Sequence, residues 1–274
     1  MPELPEVEVL RQSLEPLIIG DTIARVEVWN GSLREPVDRR KLERLTSGRA
    51  IRSVRRRAKY LLMDLDGGTT LVTHLGMSGR MTLVAEKVPR EPHEHVAFFL
   101  DSGRRLRLRD PRRFGLVIAI ETATLEQDRH FRHLGIEPLG NGFGGNELQD
   151  RARHRRAPVK SFLMDAKVLV GVGNIYASEA LYRAGIHPTR SVSRISTARW
   201  QRLADSIQQT LSQAVREGGT TLNDFADGRG RGGLFQVSLA AYDQEGTTCQ
   251  RCGGTIRRIV QSGRSTYYCP GCQR

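Results

Sequence analysis

All four cysteines of this 274-residue chain fall in its last 26 residues, as CQRC (249–252) and CPGC (269–272). Each C-x2-C turn points two thiolates at one place. The sixteen residues between the pairs contain TIRRIVQ, SGR and STYY, a strand–turn–strand pattern that would bring the two turns together. Cys249, Cys252, Cys269 and Cys272 therefore read as the ligands of one zinc ion. The alternative is two disulfides, but the rest of this large chain contains no cysteine, which does not suit an oxidising compartment. Four protein ligands leave the metal no open position, so its expected role is structural. The hairpin turn puts Arg264 on a rigid tip, where a lone arginine is either a solvated charge or a held-out anion contact.

Charge narrows the partners. Lys+Arg 43 against Asp+Glu 30 gives +13, which favours a polyanion. The basic residues cluster, at Arg52, Arg55, Arg56, Arg57 and Lys59, at Arg104 to Arg113, and at Arg151 to Lys160. In RLRLR (105–109) the alternation puts arginines on one face of a strand and leucines on the other. That basic face is expected to meet phosphates. Nucleic acid leads as the partner. A membrane surface is weaker, because no basic amphipathic helix with aromatic anchors is visible. No apolar run is long enough to span a bilayer and no signal peptide opens the chain, so a soluble, cytoplasmic protein is expected.

The length suits more than one domain. Residues 5–19 read as a helix, with Pro5 in its first turn, apolar residues at helical spacing and Gly20 as the stop. From about 21 to 120 the pattern is that of strands, including RSVRRRAKYLLMDL (52–65), with DGG and DSG as turns. ATLEQDRHFRHLG (123–135) reads as helical, LGNGFGGN (139–146) as an interdomain linker, and helices are expected at about 146–156, 158–166, 174–184 and 196–217. The expected architecture is α+β and multidomain. An N-terminal β-sandwich with a leading helix spans 1–135, a helical domain 136–233 and a zinc finger 234–274.

The chain begins MPELPEVE. Removal of Met1 would expose Pro2 as a secondary amine, and α-amino groups titrate at roughly 7.7–8.0, so much of it is nucleophilic near neutrality. Attack on a sugar aldehyde carbon would form an iminium, and Glu3 could exchange protons with that sugar. Equally, proline and acids suit the first turn of a helix, so both residues could simply start one.

Several strings together resemble the formamidopyrimidine-DNA glycosylases. They are MPELPEVE, RRAKYLL (56–62), HLGMSG (74–79), DPRRFG (110–115), LMDAKVLVGVGNIYASEAL (163–181), GIHP (185–188), GGTTL (218–222) and the terminal cysteine hairpin, in the family's order across essentially the whole chain. The resemblance implies a glycosylase and abasic-site lyase that excises 8-oxoguanine and formamidopyrimidines and cleaves the strand by β,δ-elimination. It implies Pro2 as the Schiff-base nucleophile, Glu3 as the proton donor, Lys59 as an aid to base loss and β-elimination, and Arg264 as the phosphate grip for δ-elimination. Met77, Arg112 and Phe114 would fill the gap left by an extruded nucleotide, and His93, Arg155 and Asn174 would contact DNA. The segment LVGVGNIYASEAL resembles a helix–two-turn–helix element, and DGRGRGG (227–233) corresponds to the loop that caps the flipped base. Asn223 stands where the family suggests a lysine. Damaged duplex DNA is the implied partner, lying bent in a cleft between the main domains, and a monomer with no small-molecule cofactor is implied. Two alternatives remain: an endonuclease VIII-like enzyme for oxidised pyrimidines, and a silent binder of damaged DNA.

Overall fold

The computed structural model describes residues 2–220 and 238–274, so Asn223 and the expected capping loop at 227–233 lie outside the described residues. These residues form two compact units, 2–132 with 217–220 and 133–216 with 238–274.

The first unit opens with α1 (Leu4–Ile18), whose Leu4, Val7, Leu10, Leu14 and Ile18 are buried along one face. Strands β1 (Thr22–Val28), β2 (Arg49–Arg57), β3 (Tyr60–Leu65), β4 (Thr69–His74), β5 (Arg80–Ala85), β6 (Glu94–Leu100), β7 (Arg104–Arg109) and β8 (Leu116–Glu121) form one antiparallel sheet in the order β5-β7-β6-β1-β2-β3-β4-β8. Its two halves meet at a short pairing, of Thr22 and Ile23 of β1 with Ala50 and Arg49 of β2. Val96, Phe98 and Leu108 from one half share a single core with Val54, Met63 and Leu71 from the other and with the buried face of α1. This is the sandwich with its leading helix. A short helix, α2 (Arg39–Thr46), was not legible in the pattern of apolar residues, because only Leu42 and Thr46 of it are buried. Its signal was the cap instead, since Asp38 accepts the Lys41 amide at 3.0 Å.

Two sequence expectations change here. The run 52–65 is not one strand but two, reversed at Ala58 and Lys59, with Ala58 in the left-handed region at φ 54. The segment 123–135 holds no α-helix. It makes a 3-10 turn over Thr122–Gln127 and further turns, with Asp128 accepting the His130 amide at 2.9 Å and so ending the helical direction.

The second unit contains α3 (Gly145–Ala152), α4 (Val159–Leu163), α5 (Asn174–Ala184) and α6 (Thr197–Arg216), followed by the hairpin β9 (Arg257–Gln261) and β10 (Arg264–Tyr268). Trp200, Leu203, Ile207 and Leu211 form the buried stripe of α6. The glycine run read as a linker falls within this unit, with Gly140 to Gly142 exposed and Phe143 and Gly145 buried. A Cβ on Gly145 would lie 2.5 Å from the backbone of Gln201 on α6, so only glycine admits that approach. Among the described residues no helix is long and apolar enough to cross a membrane.

Candidate functional site

In the first unit Pro2 is buried and Glu3 is 2% exposed. Glu3 caps α1, and its amide donates to Glu6 Oε2 at 2.7 Å in a reciprocal capping box. The other oxygen of Glu6 accepts the Thr220 amide at 2.9 Å. Glu3 does start α1, as its N-cap, and Pro2 directly precedes that cap. The cap is what holds the pair in one geometry.

Lys59 sits at the β2–β3 reversal, half-buried. Arg56 braces this turn against α1 by donating to Glu8 Oε2 at 3.1 Å and to the Ala58 carbonyl at 2.9 Å. Nearby His74, buried at the end of β4, accepts the Gly76 amide on Nδ1 at 2.9 Å. Burial, then the positive charges of Arg34, Lys59 and His130, push its pKa down to about 3, so its ring is neutral.

Met77, Arg112 and Phe114 lie on two loops that one buried carboxylate ties together. Asp110 accepts the Ser78 hydroxyl at 2.6 Å and the Gly115 amide at 2.7 Å, while Ser78 Oγ accepts the Arg112 amide at 3.1 Å. At Gly76, φ +66, an added Cβ would stand 2.4 Å from the Phe114 carbonyl, so the loops touch backbone to backbone. Phe114 is 42% exposed, an unusual position for a large apolar ring, and the Arg112 guanidinium lies 5.1 Å from its centroid. Met77 is half-buried on the first of these loops. His93 is exposed, has φ 66, and its carbonyl accepts the Asp110 amide at 2.9 Å, which links it to the same loop.

The arginine face of β7 must be reread. The alternation is real, but Arg105 and Arg107 are 4% and 8% exposed. They face the buried Glu94 at 3.3 and 3.4 Å, and Arg107 also reaches Glu91 at 2.5 Å. This face is an internal ion-pair layer and not a phosphate surface. Spacing could show the side of the strand but not what packs on it. The first basic cluster is likewise engaged, Arg52 with Asp66 and Arg55 with Asp64 at 2.5 Å each.

In the second unit Arg264 is exposed at the Ser262–Gly263 turn of the β9–β10 hairpin. It borders a recess of about 280 Å³ that Lys160 and Asp165 also line. Lys160, 2% exposed, donates to Asn174 Oδ1 at 2.6 Å and Thr266 Oγ1 at 2.7 Å, and Asn174 Nδ2 donates to the Ser265 carbonyl at 3.0 Å. The Asn174 side chain thus ties α5 to the strand beside Arg264. Any contact of Asn174 with phosphate falls to its backbone amide, which opens α5 after Gly173. Arg155 is exposed and pairs with Asp165 at 3.3 Å.

The four cysteines converge, with ligand atoms all within 4.8 Å of one another. A tetrahedral ion with Zn–S bonds of about 2.3 Å needs sulfurs about 3.8 Å apart. Cys249 and Cys272 stand 3.8 Å apart, and Cys252 and Cys269 3.4 Å. Against the cost of burial, the Tyr182 hydroxyl and the amides of Arg251 and Cys252 lower Cys249 to about 6. Burial, then the neighbouring thiols, raise Cys272 to about 12. Sulfurs this close can all ionise only around a cation, so the donor set fits one structural zinc ion. The finger is docked on α5, where the buried Glu179 accepts the amides of Ala240, Ala241 and Tyr242 at 3.1, 2.9 and 2.7 Å. Glu6, Asp110, Lys160 and Glu179 were all missed in the sequence. Each reaches at least one partner remote along the chain, Thr220, Ser78, Thr266 and Ala241 in turn.

A capped N-terminal proline–glutamate pair on a sandwich, with an exposed ring and arginine on tied loops, accompanies a helical unit bearing a four-cysteine finger. Together these define the class of multidomain zinc-finger DNA glycosylases. Residues 1–117 match the formamidopyrimidine-DNA glycosylase N-terminal domain, 134–226 the H2TH domain of the same enzymes, and 246–274 the zinc finger found in FPG and IleRS. The chain belongs to the formamidopyrimidine-DNA glycosylase family. It is 47% identical over 284 residues to the formamidopyrimidine-DNA glycosylase of Ruegeria sp. (strain TM1040) and 48% over 274 residues to that of Halorhodospira halophila, with 100% of each chain covered. Among solved structures, a mutant Lactococcus lactis FPG bound to a Fapy-dG containing DNA aligns at TM-score 0.92 and 31% identity over 100% of both chains. The wild-type Lactococcus lactis FPG with an oxidized pyrimidine containing DNA aligns at TM-score 0.91 and 31% identity, again over 100% of both.

Proposed function

We propose that the protein is a DNA glycosylase of base excision repair that binds damaged duplex DNA, releases oxidised purines and then cleaves the strand as an abasic-site lyase. The observation that carries this reading is the buried Pro2–Glu3 pair, held by the Glu6 cap in a chain similar along its whole length to such enzymes. Once Met1 is removed, the Pro2 nitrogen attacks C1′ of the damaged nucleotide. The glycosidic bond breaks, and the base leaves with its electron pair and a proton. Glu3 gives a proton to the ring oxygen, the deoxyribose opens, and a cationic iminium joins Pro2 to C1′. That cation acidifies the C2′ hydrogens. Loss of one proton expels the 3′ phosphate, and a second elimination expels the 5′ phosphate.

Lys59 stands on a turn braced to the same helix, and its ammonium serves base loss and the first elimination. Arg264 grips the phosphate that leaves last. Met77, Arg112 and Phe114 enter the duplex where the nucleotide is extruded, since unstacking costs a few kcal/mol and the void must be filled. His93, Arg155 and the Asn174 amide hold neighbouring phosphates. The enzyme acts as a monomer in the bacterial cytoplasm, and its chemistry draws on no small-molecule cofactor.

Borohydride decides the central step. Incubated with an 8-oxoguanine·cytosine duplex and reductant, the protein becomes a stable adduct with the strand, and Pro2→Gly loses most of that yield. A protein that binds the duplex but gives no adduct is a silent binder. The oxidised-pyrimidine complex of the Lactococcus lactis protein supports a second reading, preference for pyrimidine lesions. Release of thymine glycol faster than 8-oxoguanine from matched duplexes would establish it.

A further inference from the structure

Tyr182 lies near the C-terminal end of α5, the helix that Asn174 opens. Its ring, 5% exposed, is buried in a small core with Cys249, Ile256, Tyr267 and Cys269. Its hydroxyl stands 3.2 Å from Cys249 Sγ, which is close for an O–H···S contact. Cys249 is 1% exposed, so water does not compete for that sulfur. A metal-bound cysteine is a thiolate and can only accept, which makes the phenol the donor. Arg251, inside the CQRC turn, donates to the Tyr182 carbonyl at 2.7 Å and places its guanidinium 5.6 Å from the ring centroid. The same helical turn is therefore held both by the cysteine and by the loop that presents it.

We propose that Tyr182 is a positioning residue of the zinc centre, donating from outside the ligand shell to the Cys249 thiolate, so that α5 helps set how tightly the finger holds its metal. A donor to a zinc-bound sulfur stabilises the thiolate against protonation and fixes its orientation. Loss of such outer partners typically weakens metal binding by about 10–100-fold. The inference rests on the four-cysteine zinc site and is independent of the sugar chemistry, so either can fail alone.

The test uses the zinc-loaded full chain, Tyr182→Phe, and Tyr267→Phe as the control. Tyr267 lies in the same small core, but its hydroxyl bonds Asp243 at 3.2 Å and touches no sulfur. With excess chromophoric chelator, Tyr182→Phe releases zinc about tenfold faster or more, and Tyr267→Phe matches the parent. A parental rate for Tyr182→Phe overturns the proposal. Loosened packing alone could also speed release, so cobalt-substituted protein supplies a second readout. Without the donor, the thiolate-to-cobalt charge-transfer band of Tyr182→Phe moves to longer wavelength. An unmoved band overturns the proposal even where release is faster. Should Tyr182→Phe not fold, 3-fluorotyrosine placed at 182, a stronger donor, moves the band to shorter wavelength. A band superimposable on the parent's overturns it.

Discussion

At the scale of single residues, buried polar side chains set the site. His74 shows how such a residue links to stability. Its ordinary pKa of 6.5 falls to about 3 in the fold. Below 6.5 the unfolded chain takes up a proton that the folded chain refuses. The stability His74 contributes is therefore complete above that pH and drains away as pH falls toward about 3, by about 1.4 kcal/mol per pH unit. Urea unfolding at pH 7, 6 and 5 should show His74→Gln losing less stability with acid than the parent. Parallel curves would mean that His74 titrates normally. Asp110 works by satisfaction of donors instead, since a fully buried carboxylate is tolerable only because Ser78 and Gly115 supply hydrogen bonds.

At the scale of elements, two glycine-bearing loops and one helix matter most. Gly76 has φ +66, and its Cβ position falls 2.4 Å from the Phe114 carbonyl. Gly76→Ala should therefore cost about 1–3 kcal/mol and push the Phe114 loop away from its partner. The expected result is a lower Tm and a larger loss of affinity for an abasic-site duplex than for undamaged duplex. Equal losses on both would show that the loop does not recognise the gap. α5 carries three kinds of attachment on one short helix: Asn174 to β10, Glu179 to the amides of 240–242, and Tyr182 to Cys249. Cys269 is fully buried in the small finger core, so Cys269→Ala removes both a ligand and core volume. It should release zinc and abolish DNA binding. Hydrogen exchange should show the sheet unit still protected, because that core shares no residue with the finger. Unchanged DNA affinity would remove the finger from the binding surface.

For the whole molecule, the count of 43 lysines and arginines overstates the electrostatic grip, because part of it is spent on the chain's own 30 carboxylates. Arg52, Arg55, Arg56, Arg105 and Arg107 already face carboxylates of the same chain. Thirteen phosphate contacts would give a slope near −12 for log K against log salt, at about −0.9 per contact. Anisotropy titrations of a lesion duplex across potassium chloride concentrations should give a much shallower slope. A slope near −12 would mean that as many phosphates are neutralised as the chain has net charges.

Legibility followed distance along the chain. The zinc ligands, α1 with its first-turn proline, α5, α6 and the strand alternation were readable because each is a local spacing that repeats the geometry of a turn, helix or strand. The site candidates were readable only as strings similar to a family's. The arginine face of β7 was misread, since what a strand face meets is decided by another strand, and α2 was missed because its one signal, the Asp38 cap, precedes a helix with too few apolar residues to show a stripe. Glu6 on Thr220, Asp110 across two loops and Glu179 on the finger lie beyond any local pattern. Sequence alone determined periodicity, charge and ligand spacing, because those are properties of neighbours on the chain. Only the tertiary structure decided which charges are spent on internal partners and which stay free for DNA. A buried charge must find its counterpart wherever folding places it, and one-dimensional order does not encode that meeting.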